Sequence, residues 1–405
     1  MWRSTAKGRD WRGAIVWVLA FAAYTYGRSQ SPPALSKEDR EGLALYAQAL
    51  DTVRDDYVNR EAIDPEKQTY GAIEGMLDTL GDGGHTRFLT PEEREQNHKS
   101  LSGTYVGIGV TLESEQDGVV VASPIEGSPA DKAGVESGDV VVAVDGESVQ
   151  GEDLSEVSER VRGPEGTRVE LTVLRGEEER VFDLARATIE TPVALWALIP
   201  GSDVAHVHLT SFPNESAEKL RGAFEEARAA GARRFVLDLR NNAGGNLEEA
   251  VEMAGYFLEP GSVVYIRKDA SGEREEIEAR GGAELADAPM VLLVNSGTAS
   301  SSEILAGALR DNDRATVIGE ATFGTGTVLS EFVLRDGSAI LLGVAEWLTP
   351  DGDSIRETGV VPDVKVPLEE GVEPLTPSEV RSLSREEIFE SDAQLRRAFE
   401  ILKDQ

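Results

Sequence analysis

Residues 234–246 read Arg-Phe-Val-Leu-Asp-Leu-Arg-Asn-Asn-Ala-Gly-Gly-Asn, and residues 289–303 read Pro-Met-Val-Leu-Leu-Val-Asn-Ser-Gly-Thr-Ala-Ser-Ser-Ser-Glu. Each opens with a short, continuous apolar run, the pattern of a strand buried on both faces. Each then breaks at Asn, Gly or Ser and passes straight into helical spacing, from Leu247 to Leu258 and from Thr298 through Leu309. Upstream, Val204-Ala-His-Val-His-Leu reads as a further strand and Ser216 to Ala229 as a helix. This β-α-β-α order predicts an α/β core with several parallel strands. Sites on such sheets gather at the carboxyl ends of the strands, which singles out the loops 241–246 and 296–302.

The chain around this core has 405 residues, enough for two or three domains. Its 40% hydrophobic and 28% charged residues can build real cores, which excludes wholesale disorder and multi-span membrane classes. With 74 Asp plus Glu against 40 Lys plus Arg, the formal charge of −34 repels phosphate backbones, so nucleic acid is not an expected partner. Cysteine is absent, which removes disulfides, thiolate nucleophiles and cysteine metal sites together. No metal or cofactor site is expected. Residues 1–30 set Arg3, Lys7, Arg9 and Arg12 before an apolar run at 13–26, the layout of a signal peptide or membrane anchor. Export follows as an expectation, with a periplasmic or cell-surface location and membrane contact through this segment.

Residues 31–103 show helical periodicity, in Leu43, Tyr46, Leu50 and Val53 and again in Ile73, Met76, Leu77 and Leu80, and are expected to form a small helical cap. At 104–190 the period changes to two, in short strands with one interposed helix. Ser128-Pro-Ala-Asp-Lys-Ala-Gly-Val-Glu-Ser-Gly-Asp-Val-Val-Val-Ala-Val-Asp-Gly resembles a PDZ domain of the bacterial protease type. The resemblance implies that Gly107, Ile108, Gly109 and Val110 form a backbone nest for a peptide carboxylate, the peptide adding as a β-strand. A module that only braces its neighbour is the alternative. The core is expected to span 191–370, with a helical segment at 371–405.

By local chemistry, the serines at 300–302 are either helix caps or an oxyanion site. Ser300 to Glu303 spells a capping box, while hydroxyls beside free helix N-terminal N–H groups could hold a developing oxyanion. A wider resemblance weighs on this choice. Asp238-Leu-Arg-Asn-Asn-Ala-Gly-Gly, Val294-Asn-Ser-Gly-Thr-Ala-Ser-Ser-Ser-Glu, Arg314-Ala-Thr-Val-Ile-Gly-Glu-Ala-Thr-Phe-Gly and Gly359-Val-Val-Pro-Asp look like the carboxyl-terminal processing proteases, tail-specific serine proteases with a PDZ domain in the same order. The resemblance implies an α/β serine-protease core with an inserted PDZ domain and a helical cap. It also implies cleavage near unstructured protein C-termini, with Ser300 as nucleophile and an oxyanion hole from Ser301 and the Gly244-Gly245 turn.

The family's lysine base and following glutamine fall at Thr325 and Leu329, and no Lys occurs between Lys268 and Lys365. Threonine has no basic atom near neutral pH. Related branches take a histidine from a Gly-His-Thr-like loop, and Gly84-His85-Thr86 matches it, making His85 the candidate base with Asp82 or Glu357 as its orienting acid. Thr325 could position a water or a substrate carbonyl. Of the other histidines, His98 lies in a polar stretch, and His206 with His208 reads as a packed or solvated pair rather than a metal site. An inactive peptide-binding or scaffold homologue is the alternative function, and a homo-oligomer is left open.

Overall fold

The computed structural model describes residues 35–82, 85–115, 118–125, 127–176, 178–190, 192–369 and 371–404. The signal or anchor segment expected within 1–30, including the run at 13–26, and Gly84 of the histidine motif lie outside the described residues. The chain divides into two compact units, Met1–Ala72 and Ile73–Gln405. In the first, the helix Lys37–Asp56 starts at a capping box in which Ser36 and Asp39 exchange side-chain and backbone hydrogen bonds. Its apolar residues follow the periodicity expected of them, yet none is buried. Among the described residues no helix is long and apolar enough to cross a membrane.

The second unit is organised by a six-stranded sheet in the order Ala194–Leu198, Val204–Leu209, Arg234–Asp238, Met290–Val294, Thr316–Gly319, Val364–Lys365. All its pairs are parallel except the first. Both faces are covered, as a parallel sheet requires. The helices Ser216–Ala229, Leu247–Phe257 and Ser301–Asp311 bury Phe224, Met253, Phe257 and Leu305 against Val207, Phe235, Leu237 and Leu292 on one face. Alternate residues Val204, Val236, Val291, Leu293 and Ile318 point the other way, onto Val380, Ile388, Leu395, Ala398 and Leu402 of the C-terminal helices. The described part of the C-terminal segment, 371–404, is therefore the second covering layer of the core, with period-two alternation sorting each strand between two layers.

A second sheet pairs Ala339–Leu348 with Thr327–Val333, Val263–Asp269 and the short strand Arg87–Leu89. The last of these lies within 31–103, where helices alone were expected. Its pairing partner is some 250 residues away (Arg87 opposite Leu341), which local periodicity cannot register. This pairing carries the loop before it, with His85, onto the core.

Residues 104–190 form the β-rich module. Its main sheet runs Val110–Glu115, Gly118–Pro124, Val140–Val144, Arg168–Arg175, Glu178–Ala185, and it encloses its own core of Ile108, Val121, Val141, Val157 and Leu171. Val110–Glu115 is an edge strand, and the helix Leu154–Val161 packs near it.

Candidate active site

Three loops leave the carboxyl ends of the parallel strands and meet: 239–246, 295–300 and 320–326. Ser300 stands between the second loop and its helix with φ 55° and ψ −121°, a conformation disfavoured for any residue with a Cβ. Such strain persists only where the surroundings impose it. Here the Glu303 carboxylate accepts the Ser300 N–H at 2.9 Å, and Thr325 Oγ1 accepts it at 3.1 Å.

The glycine turn backs directly onto Ser300. A Cβ on Gly244 would sit 2.7 Å from the Ala299 carbonyl oxygen and 2.9 Å from both Ser300 Cβ and Ser301 N. Gly245, at φ 148°, lies so close to Phe212 that an added Cβ would meet its carbonyl at 2.5 Å. Both places need glycine for closeness as well as for conformation. Side chains of the next loop pin the turn, with Ser301 Oγ donating to Gly245 O at 3.0 Å and Ser302 Oγ to Asn242 O at 2.9 Å. Gly244 N–H is spent on Asn242 Oδ1 at 2.9 Å. The N–H groups of Gly245 and Ser301, in contrast, find no protein acceptor among the described residues.

Glu303 organises the third loop. Its carboxylate is fully buried, with no ion pair among the described residues, and it accepts from Thr322 Oγ1, Gly324 N, Thr325 N, Thr325 Oγ1 and Ser300 N. Thr325 Oγ1 therefore accepts the Ser300 N–H and donates its own O–H to Glu303, so its hydroxyl is engaged in holding the loop. The loop's other side is closed by residues 355–360. Val360 N–H donates to Thr322 Oγ1 at 2.6 Å and Glu357 N–H to Gly324 O at 3.0 Å.

His85 is half-buried at the entry to Arg87–Leu89, with Nδ1 hydrogen-bonded to Thr327 Oγ1, two residues beyond Thr325. Burial lowers its pKa below the ordinary histidine value and Arg87 adds to this, against the opposing charges of Asp82 and Glu303. Asp82 accepts the Thr86 N–H at 2.9 Å; burial raises its pKa, but this hydrogen bond and the His85 and Arg356 charges outweigh it and hold the carboxyl low. Thr86 in turn holds Gly343 N–H at 3.0 Å. The structure thus joins Ser300, Ser301, Gly244, Gly245 and Thr325 directly, and brings His85 to the adjoining strand. Asp82 fixes the backbone of the histidine loop, whereas the Glu357 side chain is exposed. Glu303 and Thr327 escaped the sequence reading, although the capping-box spelling pointed to a Ser300–Glu303 contact.

His206 is not a solvated residue but fully buried, with Nε2 2.8 Å from Asp238 Oδ2. Arg240 pairs with the same carboxylate at 2.6 Å and reaches Asp392 and Gln394 at 2.9 Å each. Burial works to raise the Asp238 pKa, but the Arg240 charge and the hydrogen bonds from His206 and Arg240 hold it far below the usual carboxylate range. Among the described residues no group of His, Asp and Glu is placed to hold a metal ion.

In the β-rich module, the Ile108 carbonyl accepts Ala130 N–H and the Gly109 carbonyl accepts Ile125 N–H, each at 2.9 Å, with Ser128 Oγ also on Gly109 O at 3.0 Å. Across a trans peptide the N–H points opposite its carbonyl, so the N–H groups of Gly109 and Val110 turn away from the interior. The Ile108 side chain is buried in the module's core.

An α/β core that carries a PDZ domain, with a strained serine between a glycine turn and a helix start, is the fold of a serine-type hydrolase by its likeness to known proteins. Models of peptidase family S41 and of the PDZ domain match residues 203–366 and 120–175. A Staphylococcus aureus (strain COL) protein named "Probable CtpA-like serine protease" is 36% identical over 354 residues, covering 87% of this chain and 70% of the relative. Its namesake in Staphylococcus haemolyticus is 35% identical, covering 85% and 68%. The solved photosystem II D1 C-terminal processing protease is 34% identical over 82% of this chain and 90% of that one, with a TM-score of 0.49. The chain belongs to peptidase family S41, among the C-terminal processing proteases.

Proposed function

We propose that the protein is an exported endopeptidase that gathers unstructured C-terminal tails on its PDZ groove and cuts them near their ends, with Ser300 as nucleophile. The observation that carries this reading is the approach of Gly244 to Ser300, with Gly245 held by the Ser301 hydroxyl, in a junction where the Gly245 and Ser301 N–H groups find no acceptor among the described residues. Two such donors are the equipment for a tetrahedral oxyanion. His85 is the base. With Nδ1–H donated to Thr327 Oγ1, the imidazole keeps its lone pair on Nε2, and burial keeps it neutral. Thr327 then takes the orienting place that a triad gives to an acid. The tail docks along the edge strand Val110–Glu115, its carboxylate on the Gly109 and Val110 N–H groups. Export rests on the basic and apolar composition of residues 1–30.

Labelling with a serine-directed fluorophosphonate is the test. Wild type should be labelled and Ser300→Ala should not; equal silence of the two would mark a peptide-binding relic.

A further inference from the structure

Phe323 is 64% exposed, more than any other aromatic side chain of the described residues. An exposed Phe is ordinary on a mobile loop, but this one sits on held backbone. Its own N–H donates to Thr298 O at 2.9 Å, two residues before Ser300. On either side of it, Thr322 and Gly324 are bound to the buried Glu303 carboxylate. Behind it, a Cβ on Gly324 would meet Gly359 N and Ile355 O at 2.9 Å, so the backbone has no room to retract. Thr325, two residues on, receives the Ser300 N–H. The ring is thus offered to solvent at the rim of the nucleophile by a frame that cannot fold it away.

From this arrangement we propose that Phe323 is a specificity-determining residue, packing against an apolar side chain that flanks the scissile bond. The inference rests on the peptidase reading and adds the substrate class: tails with an aliphatic or aromatic residue next to the cut. A rigid aromatic offers large contact area at little entropic cost, and its loss is felt only by substrates that cover it.

The test uses the full chain and C-terminally amidated peptides, which lack the carboxylate proposed for the PDZ groove and so isolate the contacts around the cut. The peptides carry Leu, Phe, Ala, Gly or Glu at each position flanking the cut. For Phe323→Ala, kcat/KM should fall about 10-fold or more on Leu and Phe peptides, the range of hydrophobic-pocket discrimination. It should stay within about 2-fold on Gly and Glu peptides, and Phe323→Leu should recover most of the loss. Affinities for Ser300→Ala and Ser300→Ala/Phe323→Ala, which require no catalysis, should show the same selectivity even if wild type cleaves nothing. A uniform loss across all peptides, or no loss on apolar ones in either assay, overturns the proposal.

Discussion

At the residue scale the proposed chemistry turns on one imidazole, that of His85. Because burial and Arg87 lower the His85 pKa, its imidazole stays unprotonated to a pH below the ordinary value, as a base would need. The acid limb of kcat/KM should therefore fall below about pH 6.5, the unperturbed histidine value. His85→Ala should cost about 10²- to 10⁴-fold in rate, the worth of a positioned base. Thr327→Val removes the hydrogen bond while keeping the shape, and should lower kcat with little change in KM. An acid limb above pH 7, or unchanged cleavage by His85→Ala, would refute the assignment. Glu303 shows how a single buried carboxylate serves geometry, with five donors from two segments converging on it so that the helix start and the 322–325 loop hold one arrangement.

At the element scale the loop bearing Gly244 and Gly245 is tied to the far layer of the core. Arg240, two residues beyond its strand, joins Asp238 to Asp392 and Gln394 of the C-terminal helices. Replacing Arg240 by Met leaves two buried carboxylates without their cation. Chemical denaturation should show a loss of about 3–5 kcal/mol, the cost of breaking a buried pair. A loss under about 1 kcal/mol would mean that the cluster relaxes. The PDZ element makes a separate prediction, read on full-length Ser300→Ala. Unstructured peptides ending in a free apolar carboxylate should bind more tightly than the same peptides amidated, because the amide lacks the charge that the Gly109 and Val110 N–H groups face. Equal affinity would count against the groove.

At the scale of the whole molecule the formal charge of −34 acts on anything that approaches. Tails rich in Lys or Arg should associate with Ser300→Ala faster than acidic ones, and this advantage should shrink on raising salt from about 0.01 to 0.15 M as the Debye length drops from about 30 to 8 Å. Stopped-flow rates indifferent to salt would show that encounter is governed locally. Self-repulsion of this charge opposes the compact state, and the stabilisation that outweighs it lies in the apolar layers on the two faces of the sheet.

What the amino-acid sequence determined by itself was whatever local period and local chemistry can carry. The apolar runs at 234–239 and 290–294 marked buried strands, the alternation at 104–190 marked a separate β module, and the loops 241–246 and 296–302 stood out at strand ends, while Ser300, Gly244 and Gly245 were picked out within them by the family resemblance. Tertiary structure decided what lies across long loops. The strand Arg87–Leu89 exists only because Ala339–Leu348 receives it, and His85 meets Thr327 across 242 positions of chain. Arg240 finds Asp392 across 152, and Glu303 gathers donors from a loop about twenty residues on. A buried polar group must be satisfied by whichever partner the fold delivers, and neither periodicity nor spacing encodes which one that is.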